Sequence, residues 1–134
     1  MSAGPTFLTP MLGEAAARFE LGVVGRSDPL ASRLIGAFDS SSRNRGLLGR
    51  SALPEGEGLV IAPCYAVHTF GMQFAIDLVY ADRAGVIVKL RRAVGPSRIS
   101  GAWGAFAVIE LPAGSIERAG LEPGQHLVVN ARRA

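Results

Sequence analysis

Cys64, His68, Thr69 and Asp77 are set in the otherwise apolar run from Cys64 to Asp82, and Glu110 stands in a second apolar run further on. Polar groups embedded this way need partners or a task, because burying one unpaired costs about 2 kcal/mol or more. His68 could serve as a general base, a hydrogen-bonding group for a ligand or a metal ligand. Asp77 could form an acid-base pair with it, cap loop amides, or pair with an arginine such as Arg45. Glu110 has the strand parity of Phe106 and Val108, which turns it inward. A carboxyl buried among apolar neighbours has a raised pKa and suits acid-base work, although an inert hydrogen-bonded brace has the same pattern.

Other candidates have equally plain structural readings. If the chain is extended around His68, then His68, Phe70 and Met72 point to one side, and Thr69 and Met72 join a pocket there. Cys64-x-x-x-His68 is not the paired spacing of structural zinc sites, and no metal is expected. A buried thiol beside Pro63 accounts for Cys64 better than a nucleophile does. The Arg45 guanidinium suits a bound anion, but Gly46 and Leu47 beside it favour an internal brace to the carboxylates. Trp103, flanked by Gly101 and Gly104, reads as a lid over a cavity or a plug in the core. Phosphate-loop, Gly-x-Ser-x-Gly and His-Glu-x-x-His signatures do not occur, and no cofactor is expected.

The elements that position these residues are mostly strands. Phe74, Ile76, Leu78 and Tyr80 alternate with Ala75, Asp77, Val79 and Ala81, and both sets are apolar apart from Asp77, as in a central strand. Asp82 to Gly85 is a hairpin turn, returning through Val86 to Arg92 with Val86, Val88 and Leu90 inward. Phe19–Val24, part of Leu30–Phe38, Leu59–Ala62, Ala105–Leu111 and His126–Asn130 are further strands, and Pro96 to Trp103 is a loop. Helical turns are expected over Gly13–Arg18, over Ser41–Leu48 after the caps at Asp39 to Ser42, and over Ile116–Ala119 capped by Ser115 and ended by Gly120. The fold class is α+β, mainly antiparallel β, as a small curled sheet or partly closed barrel with one or two short helices. Residues 1–29 form an N-terminal extension that can pack on a domain spanning 30–134.

At 134 residues, 49% hydrophobic and 19% charged, the chain has the bulk for one compact core. A single cysteine excludes an intramolecular disulfide. No leader pattern opens the sequence and no apolar run approaches a membrane span, so a cytoplasmic protein without membrane partners is expected. The net charge of +3 comes almost wholly from arginines, and the pairs Arg91-Arg92 and Arg132-Arg133 lack interleaved aromatics. Nucleic acid is therefore not an expected partner.

Arg45-Gly46-Leu47-Leu48, Val67-His68-Thr69-Phe70-Gly71-Met72, Ile76-Asp77, Glu110-Leu111-Pro112-Ala113-Gly114 and Gly120-Leu121 to Gly124 follow one another in an order and spacing that resemble the DUF192 (UPF0127) family. The resemblance covers roughly Leu34 to Val129. It implies a compact β-rich domain of unassigned activity. Many members carry aromatic-Trp-Met-Lys-Asn-Thr where this chain has His68 to Gln73; only Met72 matches, so no role of that lysine or asparagine transfers. The His-Thr-x-Gly-Met variant looks like a subgroup. The expected function is a small binding module for a polar ligand or protein segment, near His68, Thr69, Met72, Asp77 and Glu110. The alternatives are a hydrolase-type enzyme using a His/carboxylate pair, and an accessory interaction domain with no ligand pocket.

Overall fold

The computed structural model describes residues 4–13 and 18–132. A 3-10 turn, Thr9–Leu12, precedes β1 (Arg18–Val23) and β2 (Arg33–Ala37). Then come α1 (Ser40–Arg45), β3 (Glu57–Ile61), β4 (Ala66–His68), β5 (Ile76–Ala81) and β6 (Ile87–Val94). β7 (Ile99–Gly101), β8 (Ala107–Pro112), α2 (Ser115–Ala119) and β9 (Leu127–Arg132) complete the order. The helical turn expected over Gly13–Arg18 falls mainly on residues 14–17, outside the described residues.

Five strands form the main sheet in the order β2-β3-β8-β5-β6, all antiparallel except the parallel pair β2–β3 that α1 connects. β1 and β9 form an antiparallel ribbon. Single bridges, Leu21 to Ala31 and Val86 to His126, link that ribbon to either end of the main sheet. The strands therefore curl round a common interior, and among the described residues they do not close into a barrel. The result is an α+β fold dominated by β structure, with two short helices.

Strand alternation divides the apolar residues between two cores. Val60, Val79, Ile109 and Leu111 face the ribbon, where Phe19, Leu21 and Val129 meet them. Leu59, Ile61, Ile76, Leu78, Tyr80 and Val108 face the opposite way, under Leu47, Leu53 and Met72. Each large aliphatic buried here contributes about 1.5–3 kcal/mol. β5 lies between two partners and every residue in it is buried, as its two-sided apolar pattern predicts.

The structure departs from the sequence expectations in four local places. α1 ends at Arg45 rather than Leu48, because Gly46 leaves helical geometry at φ 48° and ψ −125°; its N-cap is Asp39, which accepts from the Ser42 amide at 2.8 Å. In β6 the pairing shifts between Tyr80 opposite Lys89 and Ala81 opposite Ile87, so Val88 sits in a bulge and is exposed. Ile87 and Leu90 pack against the ribbon-side core in place of the expected Val86, Val88 and Leu90 set. The expected loop from Pro96 to Trp103 contains β7, which pairs with β4 over three residues. Finally, Ser115 does not cap α2: its hydroxyl donates to the Pro112 carbonyl at 2.5 Å, and the N-cap position is held by Gly114.

Candidate functional site

Asp77 lies on the central strand, and its side chain is fully buried on the ribbon side of the sheet, with Val79 and Ala81. Oδ1 accepts from the Ala93 amide at 2.8 Å and Oδ2 from the Ile116 amide at 2.9 Å. Both contacts answer a local need. Ala93 sits where the β5–β6 register slips, with a left-handed φ of 46°, and its amide cannot join the ladder. Ile116 is in the first turn of α2, whose capping residue has no side chain. Asp77 thus caps a bulge and a helix start from a strand that neither belongs to. The expected Arg45 pairing is not made; the two residues belong to opposite sides of the sheet.

Glu110 is one rung away, since Leu78 pairs with Glu110 and Asp77 with Leu111. Alternation turns it to the other face, beside Val108, and it is 4% exposed. Its Oε1 is buried without a hydrogen-bond partner. Burial pushes this carboxyl from an ordinary 4.5 up to about 7, with no neighbouring cation drawing it down.

Above Glu110 opens a cleft of about 190 Å³ between α1 and β4. Ile61, Leu47 and Met72 form apolar walls, with Arg43, Asn44, Arg45 and His68 at the sides. Gly46 shapes the opening: its backbone conformation is one that side chains rarely adopt, and a Cβ there would lie 3.9 Å from Glu110 Oε1. Arg43 is committed to the Phe38 carbonyl at 2.7 Å. Arg45, in the last turn of α1, is exposed and forms no ion pair among the described residues, so the expected internal brace is not present.

His68 ends β4 and is exposed at the cleft. The chain does not continue extended: Met72 N donates to the Thr69 carbonyl at 3.1 Å, closing a turn. His68 Nδ1 accepts from the Phe70 amide at 3.3 Å, and the two rings lie 5.4 Å apart. That bond places a neutral ring's proton on Nε2. Met72 reaches the cleft wall, whereas Thr69 does not line it. Thr69 is 1% exposed; its hydroxyl donates to the Gly95 carbonyl at 2.7 Å and accepts from the Arg98 amide at 2.8 Å, tying β4 to the turn before β7.

Trp103 is neither lid nor plug. It is 100% exposed, on a turn beside Tyr65, Ala66 and Ala102. Cys64 is half-buried at the cleft margin, its thiol raised above its ordinary value by burial and donating to the Ala66 carbonyl at 3.1 Å. Among the described residues no three of His, Cys, Asp and Glu converge as metal ligands. The fold thus brings His68, Met72, Arg45 and Glu110 to one cleft and leaves Asp77, Thr69 and Trp103 outside it. Arg43 and Asn44 were not singled out by sequence, and Gly46 only as a packing residue; their adjacency to Arg45 on a capped helix was the available signal.

Among the described residues no helix is long and apolar enough to cross a membrane. The fold is similar to that of a protein of unknown function from Novosphingobium aromaticivorans DSM 12444, with TM-score 0.72 and 22% identity over 81% of this chain and 82% of that one. It is equally similar to a "putative transcription regulator" from Sinorhizobium meliloti 1021, with TM-score 0.73 and 23% identity over 89% of this chain and 98% of the other. At these identities the likeness establishes the fold. No curated protein is significantly similar to the sequence. The family model for DUF192, described as "Uncharacterized ACR", matches residues 25–129, and the chain belongs to that family.

Proposed function

We propose that this protein is a small-ligand binding module whose site is the cleft over Glu110. The supporting observation is the buried, partnerless Oε1 of Glu110. Such a group destabilises a fold by about 1–3 kcal/mol, and a sheet that neatly satisfies Asp77 next door has no need of a second, unsatisfied carboxyl. A ligand polar atom entering the cleft would supply the missing partner. Met72 and His68 belong to the His-Thr-x-Gly-Met segment, which we take as the mark of a subgroup with this cleft. We take residues 30–134 as the ligand-binding domain, with the described part of residues 1–29 packed on it through Leu8, Phe19 and Leu21, in a cytoplasmic protein.

The hydrolase reading is less well supported. Asp77 is engaged on the opposite side of the sheet, and His68 and Glu110, though they share the cleft, are not hydrogen-bonded to each other. A thermal-shift screen of small polar compounds on the full chain and on Glu110→Leu tests the binding reading. The expected result is a compound that raises the melting temperature of the unmodified chain only, while Glu110→Leu is the more stable apo protein. A less stable Glu110→Leu, together with no compound distinguishing the two, would make Glu110 a brace and overturn the reading.

A further inference from the structure

We infer that the ligand of this cleft is a small organic carboxylate, its anionic end shared by the Arg45 guanidinium and the Glu110 carboxyl and its apolar end lying against Met72, Val67 and Leu48. The inference rests on the binding reading above and specifies its chemistry. The charged and titratable groups that line the cleft with Glu110 are Arg43 and Arg45 on α1, Cys64 beyond β3 and His68 on β4, and Tyr80 on β5 lies close to Glu110 beneath it. Glu110 is thus the one carboxyl among the residues that line the cleft, and an amine ligand would have to enter past the two rim guanidinium groups.

The two rim arginines are not equivalent. Arg43 donates to the Phe38 carbonyl and the Ser40 hydroxyl, which fixes it in the helix frame. Arg45 forms no ion pair among the described residues and retains a planar fork matched to a carboxylate. At the floor, Oε1 lies buried beneath Gly46 without a partner. Burial keeps Glu110 protonated to about pH 7, so around pH 6 it offers an O–H donor and not a repelling charge. The apolar walls Ile61, Leu48 and Val67 suit an alkyl segment. At about 190 Å³ the cleft is smaller than the roughly 300–1,000 Å³ of sites for drug-sized ligands, which limits the occupant to a few carbon atoms.

Amide chemical shifts of the isotopically labelled full chain, titrated with sodium butyrate, butylammonium chloride or sodium phosphate at pH 6 and pH 8, test this. Butyrate should shift the Gly46, Val67 and His68 amides. It should bind about tenfold more weakly at pH 8, following the fall in protonated Glu110. Glu110→Gln, which donates an N–H at either pH, should bind butyrate with affinities that agree within about twofold across that range. Arg45→Gln should weaken binding about tenfold at both pH values. Equal butyrate affinity at pH 6 and 8, or stronger shifts of the same amides by butylammonium or phosphate, would overturn the carboxylate assignment and leave a binding cleft standing. No shift by any probe overturns the assignment as well. If the thermal-shift screen also finds no compound, the binding reading falls with it.

Discussion

Asp77 and Glu110 are two buried carboxyls on neighbouring rungs of one sheet, and they have opposite fates. Asp77 meets two backbone amides that would otherwise be unsatisfied, one in the β6 bulge and one at the start of α2. Glu110 meets none with Oε1, and burial raises it to about 7. Chemical type and depth do not separate them; the supply of donors does. A carboxyl that completes the backbone's hydrogen bonding belongs to the fold, and one that the fold leaves incomplete is the observation on which the binding proposal stands.

Substitutions at the two positions should therefore move stability in opposite directions. Asp77→Ala leaves the buried Ile116 amide and the part-buried Ala93 amide without acceptors and frees a strained bulge, so a loss of about 3–5 kcal/mol is expected in denaturant unfolding. A loss below about 1 kcal/mol would remove the distinction.

Glu110 should reveal itself through pH. An unfolded glutamate releases its proton near 4.5, whereas the folded one holds it to about 7, so the folded state carries the extra proton in between. Stability should fall as pH rises across that interval, by on the order of 3 kcal/mol, and level off above it. Glu110→Gln should remove this slope and be the more stable protein at pH 8. Parallel pH profiles for the two proteins would show that Glu110 finds a partner in solution. The smallest effect is expected at the rim: Arg45→Gln, exposed and without an ion pair, should change stability by less than about 0.5 kcal/mol. A larger loss would return Arg45 to the bracing role that its neighbours first suggested.

The strands that carry both carboxyls could be read from the residues, because Phe74 to Ala81 alternates cleanly and the turn after it is rich in turn formers. The inward turn of Glu110 followed from its parity with Val108. That Asp77 and Glu110 face opposite sides did not follow. It depends on the register of Leu78 against Glu110, which nothing local specifies. Nor could β4 and β7 be recognised as a pair, since three residues show no period and their position is held by Thr69 and by the bond from the Tyr80 hydroxyl to Ser100 at 2.7 Å. The bulge at Val88 likewise arises from pairing between strands, and it shifted the inward set by one residue. Flanking glycines placed Trp103 in a turn without revealing whether that turn faced in or out.

The outward tryptophan has a practical consequence for measuring any of this. Trp103 is the protein's single indole and is already fully surrounded by solvent in the native state. Its fluorescence should hardly change when the chain unfolds, and a melting curve read from it would look flat for an intact fold. Tyr80, buried and hydrogen-bonded, is the internal chromophore to follow instead, through near-ultraviolet circular dichroism.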